Sequence, residues 1–397
     1  MKKIFAFVCI NLWLICVSVW AQDFKTIQEG IEYAEIKRGT EKEPVKINLL
    51  RLDLSKVRLD VVHAKDAAIG TEITSSIATR HGAIAAINAG FFRLDKSLFA
   101  GDAAGVLQID GKLLSESNNS RIALAISNEK NKTEIVFGHL KTESWIGFSK
   151  DAVLPLSGIN RERRSNEMIL YKSGFHPNTL TDSEGTEVIF KIKCKTPKRI
   201  VSAEFCTAKI IEVREQSGGT EIFADNYVVS IGKDTPQDFK SFLSYIKKYP
   251  DSDFFRFGNE FITSEAAKKS AFEKAEDIVG GVPQLIKNGK IEITWEQEKS
   301  SKAFVETRHP RTAVARLKNG KFLMVTVDGR QPNVSVGMNL NELAEMLLEF
   351  GAIDAMNFDG GGSTTMFLGG KVVNHPSDKE GERKVSDAIL VFPRKKN

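Results

Sequence analysis

The chain has 397 residues, with 56 Lys and Arg against 51 Asp and Glu and a net charge of +5. So even a balance, with no strongly basic stripe, argues against nucleic acid as the partner. The length exceeds what one ordinary core holds, which points to a single large unit over 22–397, or to two closely packed subdomains over about 45–260 and 261–395.

At the start of the chain, Lys2 and Lys3 precede an apolar run from Ile4 to Val19 broken only by Asn11 and Ser18. That is the pattern of a signal peptide, with cleavage expected between Ala21 and Gln22. Val8 and Ile15, which precede Cys9 and Cys16, are not the small residues that lipoprotein processing favours. The run is also short for a membrane span, which needs about 20 apolar residues. The expectation is therefore a periplasmic, surface or secreted protein with no stable membrane insertion after cleavage. Removing residues 1–21 takes away two lysines and no acid, and it leaves Cys194 and Cys206. In an oxidising compartment these two permit one disulfide, with two buried free thiols as the alternative.

Short β-type segments follow: Lys46 to Leu52, Val57 to His63, Ala83 to Asn88, Arg121 to Ile126, Thr133 to Phe137, Thr186 to Lys193, Arg199 to Glu204 and Lys209 to Arg214. Near the C-terminus the pattern changes. Lys321 to Asp328 reads as a buried strand, Asn339 to Phe350 as a helix, and Ile353 to Asp359 as another strand, which together make a βαβ unit. The helix follows from Leu340, Leu343, Met346, Leu347 and Phe350, which recur on one face at the 3.6 period. Asn339 with Glu342 forms a capping box at its start, and Gly351 suits the left-handed position after its end. The fold class expected is α+β: a β-rich mixed sheet with a C-terminal βαβ unit and a Gly-rich loop.

The last of these strands alternates. Met356 and Phe358 fall on one face, Asn357 and Asp359 on the other. Gly360-Gly361-Gly362-Ser363-Thr364 follows directly, where glycines let the backbone approach a ligand, free amides can gather into an anion-binding nest, and hydroxyls supply further donors. No lysine completes a P-loop, so nucleotide hydrolysis is disfavoured. If the two flanking strands are parallel, Asp328 and Asp359 both stand at strand C-terminal ends, where open α/β sheets place their ligands.

The stretch Asn357-Phe358-Asp359-Gly360-Gly361-Gly362-Ser363-Thr364 resembles the hallmark of the phosphodiester glycosidases. Arg311-Thr312-Ala313, Asp328-Gly329 and Gly337-Met338-Asn339-Leu340 precede it in the expected order. Asn88-Ala89-Gly90-Phe91-Phe92, Asn160-Arg161, Pro376-Ser377-Asp378 and Arg383-Lys384-Val385-Ser386 are similar to further family signatures. Ala89 and Ala315 depart from the pattern at positions where glycine is usual. The resemblance implies a hydrolase that releases a sugar from a sugar-phosphate diester through an oxocarbenium-like transition state, in exported polysaccharide or glycan processing.

On that reading Asp359 is the nucleophile or charge stabiliser and Asp328 its partner. Adjacent strands lie about 5 Å apart, close to the carboxyl separation of retaining glycosidases. Arg311 is the expected phosphate ligand, because a guanidinium offers two parallel hydrogen bonds. Asn88, Asn357, Gly360, Gly361, Gly362, Ser363 and Thr364 are the other expected substrate contacts, and the partner is a carbohydrate or sugar phosphate. His309, between Arg308 and Arg311, reads as a polar surface residue. No His/Cys cluster has zinc spacing. No cofactor is expected, although the acids leave room for a divalent cation. Two other classes stay open: a metal-dependent phosphodiesterase using the same aspartates, and a non-catalytic glycan-binding protein.

Overall fold

A computed structural model describes residues 24–117, 119–149, 152–194, 206–252 and 254–394. The leader expected over residues 1–21 and the strand expected from Arg199 to Glu204 lie outside them.

The period-2 pattern of the apolar segments builds a central sheet with two buried faces. In β1 (Pro44–Leu52), Ile47 and Leu49 enter one apolar cluster, while Leu50 and Leu52 enter another. Further strands belong to the same core: β2 (Val57–His63), β3 (Ala85–Asn88), β4 (Gln284–Lys287), β5 (Arg311–Leu317) and β6 (Phe322–Val327). Helix α1 (Leu340–Glu349), β7 (Ala352–Asn357), β8 (Met366–Leu368) and β9 (Asp387–Pro393) complete it. The central sheet runs β1-β6-β5-β7-β4, extended beyond β1 by the nine-residue strand Ile31–Gly39 and the short Lys25–Gln28, and beyond β4 by Lys290–Ile291. Leu323 and Val325 of β6 face the α1 side, and Met324 between them faces a second sheet.

That second sheet, ordered β8-β3-β9-β2 with one short edge strand, contributes Leu59, Ile87, Met366 and Ile389 to the shared cluster. On the opposite face α1 buries Leu340, Leu343, Ala344, Met346 and Leu347. Each such leucine is worth about 1.5–3 kcal/mol of transfer free energy, so the layer holds without strong intrinsic helix propensity. The ends of α1 are as expected: the Asn339 and Glu342 side chains exchange capping bonds, and Gly351 has φ +82°.

A third and largest sheet spans the middle of the chain, and each of the three sheets draws strands from both sides of residue 260. In the third sheet, Cys206 is disulfide-bonded, and the strand register sets Cys194 directly opposite it. Among the described residues no helix is long and apolar enough to cross a membrane.

The C-terminal β-α-β passage needs a correction. β5 pairs antiparallel with both β6 and β7, so β6 and β7 run in the same direction without touching. The chain leaves a gap at the crossover and β5 fills it. Asp328 and Asp359 therefore follow strands two spacings apart, roughly 10 Å, and the adjacent-strand separation expected for a retaining carboxyl pair does not arise from the sheet. Arg311 begins β5, so all three residues lie at one end of the sheet, with Arg311 on the middle strand.

Candidate active site

Asp359 is placed by its backbone. Its amide donates to the Ala89 carbonyl at 2.9 Å, and its own carbonyl accepts from Asn88 Nδ2 at 2.7 Å. Burial pushes its carboxyl group up to about 6; the neighbouring Ser363 hydroxyl, the charge of Arg383 and the Gly360 amide oppose the rise, and the charge of Asp387 adds to it. The Ser363 hydroxyl is close enough to favour the carboxylate but makes no hydrogen bond of good geometry.

The loop after Asp359 is one tight 3₁₀ turn over Gly361–Ser363. Gly361 has φ +61°, a left-handed conformation that costs a side-chain-bearing residue energy and costs glycine nothing. Gly362 has no room for a Cβ, which would stand 2.3 Å from both Arg383 Nη2 and Asp378 Oδ1. The expected nest of free amides is only partly there. Gly361 N donates to the Pro310 carbonyl, Ser363 N to Gly360 and Thr364 N to Gly361, because the turn takes up its own donors. The hydroxyls remain instead: those of Ser363, Thr364 and Thr365 are buried; the first acts on the Asp359 carboxyl group, and the other two have no partner among the described residues. Buried hydroxyls in the loop that follows a half-buried carboxyl group mark this loop as a place for a polar ligand.

The other expected contacts divide. Asn88, 1% exposed, is fully engaged: besides holding the Asp359 carbonyl, its Oδ1 accepts from Thr312 Oγ1 at 2.8 Å and from Thr365 N at 3.0 Å. It latches three segments of the chain together at the site. Asn357 donates to the Val282 and Phe358 carbonyls at 2.8 Å each, so its amide nitrogen also holds backbone.

Asp328 is completely buried and accepts at Oδ1 from His375 N at 2.8 Å and from Asn374 Nδ2 at 3.1 Å; its Oδ2 has no partner. Burial raises its pKa. Asn374 in turn donates to the Thr364 carbonyl at 3.0 Å, so Asp328 reaches the site through Asn374 and positions the hydroxyl-bearing loop.

Arg311 is also 1% exposed. Its Nε donates to the Met338 carbonyl at 2.9 Å, and one Nη donates to the carbonyls of Phe304 and Thr307 at 2.8 and 2.7 Å. Its guanidinium lies 4.8 Å from the Phe304 ring centre, and burial, then Arg330, brings its pKa down to about 10. Through these three carbonyls, Nε and one Nη fasten the start of β5. Arg311→Lys is therefore expected to lower stability by about 2–3 kcal/mol and to depress turnover of phosphodiester and aryl-glycoside substrates alike. Urea denaturation and paired kinetics on the two substrates check this; selective loss of the phosphodiester would restore Arg311 as a phosphate ligand.

Several neighbours of Asp359 do not stand out in the sequence. Asp387 is buried, takes the Gly90 amide at 2.6 Å and the Ser386 hydroxyl at 2.5 Å, and its burial raises its pKa. Its charge adds to the rise in the Asp359 pKa. Arg383 forms a two-pronged ion pair with Asp378 at 2.8 and 3.0 Å over Gly362. Arg330 lies against Gly361, and His309, partly buried with a lowered pKa, lies beside Arg330. The available signal was proximity: Arg330 follows Asp328-Gly329, and Asp387 follows Ser386. Among the described residues no group of three or more His, Cys, Asp or Glu side chains is placed to hold a metal ion.

Comparison with known proteins agrees with the resemblance. Residues 212–392 match the phosphodiester glycosidase family model. Bovine N-acetylglucosamine-1-phosphodiester alpha-N-acetylglucosaminidase is 37% identical over 110 residues, which cover 25% of this chain and 20% of the bovine protein. The chain thus spans about a fifth of the length of that relative. In fold, a hypothetical protein from Synechocystis superposes with a TM-score of 0.71 at 22% identity, covering 92% of this chain and 63% of its own. The catalytic domain of the zebrafish N-acetylglucosamine-1-phosphodiester alpha-N-acetylglucosaminidase, auto-inhibited by its pro-peptide, superposes at 0.51 with 16% identity, covering 94% and 87% of the two chains.

Proposed function

We propose, from the match of residues 212–392 to the phosphodiester glycosidases, that this protein hydrolyses a sugar-1-phosphodiester at the anomeric carbon–oxygen bond, in the processing of glycans outside the cytoplasm. The observation that carries the reading is the Asp359 carboxyl group, raised to about 6, with the Ser363 hydroxyl of the glycine turn acting on it.

At neutral pH a carboxyl group with a pKa near 6 is mostly ionised, and burial leaves its charge poorly solvated. It is thus suited to balance or attack an anomeric carbon that becomes positive as its bond to the phosphate oxygen breaks. The phosphomonoester departs as an anion with the bridging oxygen, so the reaction needs less help from a general acid than an ordinary glycoside does. Water supplies the new anomeric hydroxyl. The Ser363 and Thr364 hydroxyls, at the mouth of a turn that excludes side chains, donate to the departing phosphate or to the sugar. Asp387 tunes Asp359 from beneath, and Asn88 with Asp328 keeps the loop in register.

Hydrolysis of a sugar-1-phosphodiester by the purified protein in ¹⁸O-labelled water tests the proposal. The label is expected on the released sugar and not on the phosphomonoester. Label on phosphate would mean attack at phosphorus, as by a metal-activated hydroxide, and would replace this reading with the phosphodiesterase. No turnover on a broad panel of such diesters would leave a glycan-binding role.

A further inference from the structure

We infer that Arg330, whose guanidinium lies on the glycine turn, is the side chain that binds the phosphate group of the ligand. The inference rests on the glycosyl phosphodiester reading for the identity of the anion, and on four features of the molecule for the residue.

The first is the position of the guanidinium. A Cβ placed on Gly361 would lie 3.0 Å from one Nη of Arg330 and 3.1 Å from the other, so the flat group rests against the backbone next to Ser363 and Thr364. The second is its charge. Arg383 is matched by Asp378, Arg308 by Glu342 and Glu43, and Arg311 is directed at carbonyls. Arg330 has no ion pair with an acid among the described residues; its Nη2 lies 3.5 Å from His309 Nδ1. That ring is neutral or cationic in either protonation state, so it does not balance the charge of Arg330; burial first, then Arg311 and Arg330, lowers its pKa.

The third is the backbone. Arg330 has φ +60°, a region that a residue with a long side chain enters at a cost of about 1 kcal/mol or more. The surrounding chain holds it there: a Cβ on Gly329 would meet Pro310 N at 2.7 Å and Gly337 Cα at 2.9 Å, so this turn has little freedom to relax. The fourth is access. Arg330 is exposed, whereas Arg311 is 1% exposed and directs its Nε and one Nη at carbonyls, so Arg330 presents its whole fork to an arriving ligand. A planar guanidinium gives two parallel hydrogen bonds to a phosphate, and the same loop carries the buried hydroxyls of Thr364 and Thr365, which have no partner among the described residues.

Isothermal titration of inorganic phosphate into the full chain, with Arg330→Gln and Arg330→Lys alongside, tests this without requiring turnover. Phosphate is expected to bind the unmodified protein, to bind Arg330→Gln at least about tenfold more weakly, and to bind Arg330→Lys at an intermediate level because an ammonium is a point charge and not a fork. Thermal melting of each variant checks folding; should Arg330→Gln not fold, the comparison with Arg330→Lys still decides. Equal binding by all three, or no binding by the unmodified protein, overturns the inference. Phosphate binding that depends on Arg330, in a protein that cleaves no sugar-1-phosphodiester, would instead support the anion site and remove the glycosidase reading alone.

Discussion

Asp359→Asn is expected to lower turnover by at least about 10³ while making the protein more stable near pH 7. The loss follows because an amide of the same shape can neither balance the positive charge that develops at the anomeric carbon nor form a bond to it. The gain follows from linkage. Folding raises the Asp359 pKa from 3.8 to about 6, so the folded state disfavours the ionised carboxylate. That penalty is absent below the unfolded value, grows as the pH rises between the two, and is complete above about 6. Two units correspond to up to about 3 kcal/mol, and the neutral amide escapes it. Melting the two proteins at pH 4 and pH 7 should show little difference at the lower pH and a rise of a few degrees for the variant at the higher. In the unmodified enzyme kcat/KM should fall off below about pH 6, as one proton neutralises the same carboxylate. Near-normal activity in a folded Asp359→Asn variant would remove this residue from the chemistry.

Asn88→Ala is expected to carry the largest stability cost of any single change at the site, about 3–5 kcal/mol. One side chain joins three segments: it donates to the Asp359 carbonyl and accepts from the Thr312 hydroxyl and the Thr365 amide, all away from water. Truncation leaves those three groups buried without partners, at about 1–3 kcal/mol each before relaxation or entry of water. It also frees the backbone that aims Asp359, so kcat should fall more than KM rises. Urea unfolding with an unchanged slope would give the stability term directly. A loss under about 1 kcal/mol would mean that water replaces the amide without difficulty and that the latch is not needed.

Local order was legible in the residues because its causes are local. Alternation marked β2 over Val57–His63, and the 3.6-residue recurrence of leucines with the Asn339–Glu342 cap marked α1. The run from Asn357 to Thr364 announced a backbone that must approach something closely, and Gly361 at φ +61° shows why glycine stands there. Those features, with the motif order, were enough to select Asp359.

What depended on the third dimension is the division of labour around it. Arg311 and Asn88 have the chemistry of ligands, but burial directs their donors to carbonyls, because an unpaired polar group in the interior costs more than a ligand contact returns. Asp328 was paired with Asp359 on the assumption that consecutive parallel strands are neighbours; β5 intervenes, and β9 instead brings Asp387, more remote in sequence, to the acid it influences. Strand order is set by how two buried faces are most completely covered, a property of the whole chain that no local pattern carries. Residue spacing and motif order therefore singled out the glycine loop and the acid at its edge as candidates, whereas packing decided that Arg311 is directed at carbonyls and Arg330 is exposed.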